Sequence, residues 1–118
     1  MHTVMVVDDN QFMRQRLSKV LSGSGYQVIE AEDGEQAVSA YSSSRPDVVL
    51  MDVVMPQKDG LEALAEIRQF DSQAKVIMLT ALDQQSVAVK AVQSGARDFL
   101  AKPVAPEQLM ETLHKILG

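Results

Sequence analysis

The chain has 118 residues, a length that fits one domain of common size and leaves little room for a second core. Its 46% hydrophobic and 23% charged residues are ordinary for a folded protein. Its net charge is −5, so the chain lacks the excess of basic residues expected of a nucleic-acid binder. Because cysteine is absent, disulfides and thiolate metal sites are excluded.

The first half of the chain alternates strand-like and helix-like patterns. An apolar run over residues 3–7 predicts a strand. Mixed three- and four-residue spacing then predicts an amphipathic helix over residues 11–22. Its stripe consists of Phe12, Arg16, Leu17, Val20 and Leu21. A second strand is predicted over residues 26–29, and a second helix with an acidic start over residues 33–44.

The second half repeats this alternation three times. Residues 47–51 form a run with both faces apolar, which is typical of a central parallel strand. A loop containing Pro56 and Gly60 follows that run. The remaining elements are predicted over residues 61–69, 75–79, 83–94 and 97–101, with a last helix after Pro106. Five strand–helix units with short connections predict an α/β fold, a parallel sheet covered by helices on both faces.

Polar residues stand at the ends of four of these strands. The first strand runs into Asp8 and Asp9, and the third runs into Asp52. The fourth runs into Thr80, and the fifth runs into Lys102. Because open α/β sheets bind their ligands at the carboxyl ends of the strands, we expect these side chains to converge there.

This set of groups suits phosphoryl chemistry. Close carboxylates at Asp8, Asp9 and Asp52 would repel one another, and Mg²⁺ resolves such repulsion while keeping waters for a phosphate ligand. A carboxylate such as Asp52 can accept a phosphoryl group, giving an aspartyl phosphate. Mg²⁺ and Lys102 would neutralise the charge of the transferred group, and Thr80 would donate a hydrogen bond to it.

Each of these residues also has a simpler interpretation. Asp8 and Asp9 fit an ordinary helix N-cap pair, and Asp52 fits a solvated loop carboxylate. Thr80 fits a strand-terminal hydroxyl, and Lys102 fits a surface lysine. Only their joint placement at four separate strand ends favours a phosphoryl site.

Six short motifs follow one another in a fixed order along the chain. They cover residues 6–9, 31–34, 46–56, 59–60, 80–81 and 95–103. In this set and order the chain resembles response-regulator receiver domains over essentially its whole length. The resemblance implies a single receiver domain over residues 1–118. It also implies a flavodoxin-like (CheY-like), doubly wound, five-stranded parallel sheet of order 2-1-3-4-5.

The resemblance assigns a role to each residue of the edge. Asp52 is similar to the phosphoacceptor, and Asp8, Asp9, Asp52 and the backbone carbonyl of Val54 are similar to the Mg²⁺ ligands. Lys102 resembles the phosphate-binding lysine, and its bond to Pro103 is a candidate cis peptide. Thr80 and Phe99 resemble the switch pair, although Phe99 stands where the family often has tyrosine.

The family relation implies a signalling mechanism rather than a turnover enzyme. A sensor histidine kinase would phosphorylate Asp52, after which Thr80 moves toward the phosphoryl group and Phe99 swings inward. This movement alters the surface built by the fourth helix, fifth strand and fifth helix, which controls partner binding. Apolar Val54 and Leu82 should hinder the attacking water, so we expect a long-lived phosphoryl group.

Four functions remain open on the sequence. The first is a stand-alone regulator, because residues 11–14 are similar to those of chemotaxis members. The second is the receiver of a longer regulator with a DNA-binding or enzymatic output domain. A Mg²⁺-dependent phosphohydrolase and a flavodoxin-like cofactor binder are the others. The receiver is expected to be a monomer or a phosphorylation-dependent dimer.

The sequence also carries an expectation about location. The longest near-continuous apolar stretch, residues 48–55, is too short to span a membrane. Met1 is followed at once by strand-like sequence, so we expect no signal peptide. We therefore expect a cytoplasmic protein with no membrane contact.

Overall fold

The computed structural model describes residues 1–81 and 85–118, which form five strands and five helices in alternation. The strands are β1 (Thr3–Val7), β2 (Gln27–Ala31), β3 (Val48–Asp52), β4 (Val76–Thr80) and β5 (Asp98–Ala101). The helices are α1 (Gln11–Gly23), α2 (Gly34–Ser44), α3 (Gly60–Phe70), α4 (Gln85–Gln93) and α5 (Pro106–Leu117). None of these described helices is long and apolar enough to cross a membrane.

All five strands are parallel and lie in the order β2-β1-β3-β4-β5. This is the flavodoxin-like order that the resemblance implies, so the predicted fold is confirmed. Val7 pairs with Met51, Asp52 with Leu79, and Thr80 with Ala101, so the carboxyl ends of four strands meet at one edge.

The sheet separates two hydrophobic cores, as its alternating side chains require. Odd-numbered residues of β1 and β3 pack with α2, α3 and α4, in a core that includes Met51, Leu64 and Ala91. Even-numbered residues pack with α1 and α5, in a core that includes Leu50 and Leu113. Helices therefore cover both faces, and the central strands β1, β3 and β4 are buried almost throughout.

Several strand boundaries differ from the predicted ones by one or two residues. β2 begins at Gln27 rather than Tyr26, because the Tyr26 amide donates to the Leu21 carbonyl at 3.1 Å and belongs to the turn that ends α1. β3 and β4 each begin and end one residue later than predicted. Asp52 and Thr80 are therefore the last residues of their strands, which fixes their backbones in the ladder.

The predicted apolar stripe of α1 is wrong at Phe12 and at Arg16, which are both exposed. Phe12 is 73% exposed, whereas Arg14, Leu17 and Leu21 are the buried residues of this helix. The three buried positions are separated by three and four residues, so they share one face. Phe12 lies five residues before Leu17 and therefore points away from the sheet.

The predicted helix over residues 83–94 is described from Gln85, where α4 begins. Asp83 and Leu82 lie outside the described residues. α4 ends at Gln93, and Gly95 follows with a φ of 112°, a conformation that favours glycine.

A polar and aromatic cluster ties the carboxyl ends of α2 and α3 together. The Tyr41 hydroxyl donates to the Asp71 carboxylate at 2.6 Å, and the Arg45 guanidinium lies 3.2 Å from the same oxygen. That guanidinium also stacks on the rings of Tyr41 and Phe70, at 5.8 and 5.6 Å from their centroids. The hydrogen bond from Tyr41 lowers the pKa of Asp71 below its usual 3.8.

We expect Tyr41→Phe to lower the free energy of unfolding by about 1–2 kcal/mol at pH 7, since it removes a hydrogen bond to a charged group and keeps the ring. Because the folded pKa of Asp71 is depressed, this stabilisation is present above pH 3.8 and is lost as the pH falls through the folded value. Urea unfolding of both proteins from pH 7 to pH 3 measures the difference. A difference that does not shrink at low pH would contradict the assignment to Asp71.

Candidate metal centre at the carboxyl edge of the sheet

Three carboxylates lie together where β1 and β3 end. One oxygen from each of Asp8, Asp9 and Asp52 lies within 4.8 Å of the others. Asp8 is 1% exposed and Asp52 is 7% exposed, while Asp9 is exposed to solvent. Buried carboxylates at this spacing repel one another, so the cluster requires a positive partner.

Lys102, which directly follows β5, supplies one positive charge. Its Nζ lies 2.9 Å from Asp52 Oδ2 and 3.2 Å from Asp8 Oδ2, so a single ammonium contacts both buried carboxylates. Its backbone amide donates to the Thr80 carbonyl at 2.7 Å, which fixes the residue against β4. The Lys102–Pro103 bond is cis, the isomer that the resemblance indicated.

The pKa values of this pair reflect the unequal number of charges. Burial raises the pKa of Asp52 above 3.8, and the charge of Asp8 adds to this effect, which together outweigh the contact with Lys102. Burial lowers the pKa of Lys102, but its contacts with Asp52 and Asp8 outweigh burial and raise it above 10.5. Lys102 contacts two carboxylates, whereas Asp52 contacts one ammonium. The contacts therefore favour the charged form of Lys102 more than the charged form of Asp52.

The N-cap interpretation of Asp8 and Asp9 is wrong. Asn10 caps α1, because its side chain accepts a hydrogen bond from the Met13 amide at 3.1 Å. The Asn10 amide in turn donates to Asp8 Oδ1 at 2.9 Å, which orients the Asp8 carboxylate toward the edge. The N-cap of α1 is therefore Asn10, and neither Asp8 nor Asp9 has this role.

Two glycines hold the loop after β3 close to its neighbours. The Gly60 amide donates to the Val53 carbonyl at 2.8 Å, and a Cβ at Gly60 would collide with the Asp52 carbonyl oxygen. The Gly34 amide donates to the Lys58 carbonyl at 3.0 Å, and a Cβ there would collide with that oxygen. Only glycine allows these approaches, which explains the two Asp-Gly pairs of the sequence.

Val54 lies in this loop, two residues after Asp52, which ends β3. Its side chain is 56% exposed, and its amide donates a hydrogen bond to the Asp52 carboxylate. That hydrogen bond favours the ionised carboxylate and so opposes the effect of burial.

Thr80 and Phe99 lie on one face of the sheet, on neighbouring strands. Thr80 is fully buried, and its hydroxyl donates to the Ala81 carbonyl at 3.1 Å. Phe99 is half-buried, packs against the core that contains α4, and pairs with Met78 in the ladder. Because Met78 and Thr80 are two residues apart, Thr80 and Phe99 are diagonal neighbours.

Sequence reasoning missed Arg14, which donates from Nη1 to the Asp8 carbonyl at 2.7 Å while 7% exposed. An available signal was its spacing of three residues before Leu17 and seven before Leu21, which places a cation on the buried face of α1. It also missed the cap at Asn10, whose type and position before a helix are typical of N-caps.

A cavity of about 440 Å³ lies elsewhere, on the exposed side of α1. Phe12, Gln15, Arg16 and Lys19 line it. None of the three clustered aspartates contributes to this cavity, so it is separate from the acidic edge.

The donor set at the edge fits a hard divalent cation. Carboxylate and carbonyl oxygens are the ligands that Mg²⁺ prefers, and two or three carboxylates leave positions for water and phosphate. The buried Asp52 oxygen beside Lys102 suits nucleophilic attack on a phosphoryl group. The arrangement can therefore hold a cation and a phosphoryl group side by side.

The chain is similar to known proteins over almost its whole length. The model of the response regulator receiver domain family matches residues 4–114. The chemotaxis protein CheY of Bacillus subtilis is 44% identical over 118 residues, which cover 99% of this chain and 98% of that protein.

Solved structures of receivers share the fold. A response regulator receiver domain protein from Clostridium thermocellum has a TM-score of 0.95 at 26% identity, covering 99% of this chain and 94% of that one. A chain of the CheX-CheY-BeF3-Mg complex from Borrelia burgdorferi has a TM-score of 0.93 at 31% identity, covering 99% and 90%. The present chain therefore belongs to the family of response regulator receiver domains, signalling modules of two-component systems.

Proposed function

We propose that Asp52 is the phosphoacceptor of this receiver and that a sensor histidine kinase phosphorylates it in a Mg²⁺-dependent reaction. The observation that carries the proposal is the clustering of Asp8, Asp9 and Asp52 around one edge, with Lys102 in contact with two of them. Of the three carboxylates, Asp52 combines a strand-terminal position, burial and a raised pKa.

The metal would be held by the carboxylates of Asp8, Asp9 and Asp52 together with the Val54 carbonyl. When bound, Mg²⁺ supplies positive charge to the phosphoryl oxygens. The similarity to a CheY chain solved with BeF3 and Mg supports this assignment. Asp9 is the exposed member of the cluster and would ligate directly, whereas Asp8 would act through a water molecule.

The chain's own residues would carry the transfer. One Asp52 carboxylate oxygen forms a bond to phosphorus, and the bond between phosphorus and the histidine nitrogen of the kinase breaks. Lys102 neutralises a phosphoryl oxygen with the ammonium that now contacts Asp52, and Thr80 donates its hydroxyl to another. This self-modification and its reversal by water would be the only chemistry of the protein.

The output would use the surface formed by α4, β5 and α5. Thr80 leaves its hydrogen bond to Ala81 for the phosphoryl group, and Phe99 then moves into the vacated space on the same face. α4 presents Val89 and Val92, which are 50% and 40% exposed. Exposed apolar side chains on this helix suit a phosphorylation-dependent protein partner.

We assign residues 1–118 to one receiver domain that acts on an output protein. The similarity to the chemotaxis protein CheY of B. subtilis supports this assignment. The net charge of −5 supports a protein partner rather than nucleic acid. A monomer, or a dimer formed on phosphorylation, fits this role. No observation on the site favours the phosphohydrolase.

Incubation with Mg²⁺ and a small acyl phosphate should add the mass of one phosphoryl group to the wild-type protein. Asp52→Ala should abolish the adduct, because it removes the acceptor oxygen. Asp47→Ala is the matched control, since Asp47 is an exposed carboxylate directly before the same strand, at its opposite end. Intact-mass spectrometry measures the adduct. An adduct that persists in Asp52→Ala, or turnover of external phosphoesters, would overturn the proposal.

We expect Asp52→Asn to be more stable than the wild type at pH 7 without metal. The folded pKa of Asp52 is raised, so its ionisation destabilises the fold as the pH rises from 3.8 through that folded value. The advantage of the variant should therefore vanish near pH 3, and Mg²⁺ should stabilise the wild type more than the variant. Urea unfolding with EDTA or Mg²⁺ tests this. A lower midpoint for the variant at pH 7 would contradict it.

Val54→Asn should shorten the lifetime of the phosphoryl group, because an amide at this exposed position can orient the attacking water. Leu82, the other apolar residue named for this effect, lies outside the described residues. The lifetime is measured as the loss of the mass adduct after the acyl phosphate is removed. Rapid loss from the wild type, with no change in Val54→Asn, would count against the prediction.

A further inference from the structure

Arg14 is a buried cation that has no part in the proposed phosphoryl chemistry. It lies in the first turns of α1 and is 7% exposed, with its side chain between α1 and the carboxyl ends of β1 and β2. Burying a guanidinium is unfavourable unless its donors are satisfied. Its contacts therefore indicate what the position requires.

The guanidinium joins the loop after β1 to the end of β2. Nη1 donates to the backbone carbonyl of Asp8 at 2.7 Å, and Nε donates to Glu30 Oε1 at 2.9 Å. Nη2 lies 3.9 Å from Glu32 Oε1. The planar fork of arginine can reach these groups at once, which a lysine ammonium cannot.

The contact with Asp8 acts on the peptide unit between the two metal-ligand candidates. The Asp8 carbonyl belongs to the planar peptide that ends at the Asp9 amide, so fixing this oxygen fixes the directions in which the Asp8 and Asp9 side chains leave the backbone. In the other bonds of Asp8, its amide donates to the Ala31 carbonyl, and its carboxylate accepts from the Asn10 amide and the Lys102 ammonium. Arg14 holds the carbonyl.

We propose that Arg14 is a positioning residue that orients Asp8 and Asp9 for metal binding. It contacts neither carboxylate through the bonds above and acts through the backbone that joins them. The inference rests on the proposed Mg²⁺ site. Partners one step removed from the ligands typically change metal affinity ten- to a hundred-fold.

Two other roles predict different results for Arg14→Gln. If Arg14 acts only through its charge, removing a cation beside the site strengthens Mg²⁺ binding, because like charges repel. If Arg14 only stabilises the fold through Glu30, the affinity of the folded protein for Mg²⁺ stays the same. Positioning alone predicts weaker binding, so the direction of the change separates the three roles.

The experiment measures the Mg²⁺ dissociation constant of the folded full chain by NMR titration. Arg14→Gln is expected to weaken binding about ten-fold or more. Arg14→Lys keeps the positive charge but lacks the planar guanidinium, so it should also weaken Mg²⁺ binding. This variant replaces Arg14→Gln in the experiment if Arg14→Gln does not fold. The matched control is Glu30→Gln, which removes the ion pair, keeps an oxygen acceptor for Nε and should bind as the wild type does.

Amide hydrogen exchange without metal gives a second readout. In Arg14→Gln the Asn10 amide, which donates to Asp8, should exchange faster, while the Leu50 amide of the buried strand β3 stays protected. Unchanged or tighter Mg²⁺ binding by folded Arg14→Gln would overturn the inference. If the wild type binds no Mg²⁺, the proposed function fails, and exchange at Asn10 still decides whether Arg14 orders this loop.

Discussion

The edge of the sheet holds three carboxylates within 4.8 Å of one another, two of them buried, with a single ammonium between the buried pair. This excess of negative charge governs the surrounding structure, because carboxylates in such an arrangement relax apart unless their backbones are fixed. Asp52 is fixed as the last residue of the central strand β3. Asp8 is fixed by hydrogen bonds to its amide, its carbonyl and both carboxylate oxygens. The site thus combines an unfavourable charge arrangement with backbones that hydrogen bonds hold in place.

The groups that stabilise this fold lie away from the edge. Two apolar cores cover the faces of the sheet, and the cluster of Tyr41, Arg45 and Asp71 joins α2 to α3 near the amino end of β4. Stability and chemistry are therefore separated in space. Functional sites commonly hold unfavourable charge arrangements that the rest of a fold must offset.

Much of this structure could be predicted from sequence, because its strongest signals are local. Apolar runs and turn residues indicated ten elements, and strand ends indicated where Asp8, Asp52 and Lys102 would meet. Strand order came from the family resemblance, since pairing between distant segments leaves no local pattern. The edge strand β2 was misplaced because its alternation is weak. Arg14 was missed because its partners on β1 and β2 are brought to it only by the fold.

The shortest strand, β5, contacts a different helix on each face of the sheet. β5 sends Phe99 to the core of α4, whereas Leu100 packs with α5 and Asp98 lies 3.4 Å from Lys115 of the same helix. A substitution on β5 therefore affects one helix, but a one-residue shift in register would exchange the two sets of neighbours. The helices can diverge in sequence independently of each other. The segment between α4 and β5, in contrast, is fixed in length, and the φ of 112° at its Gly95 favours glycine.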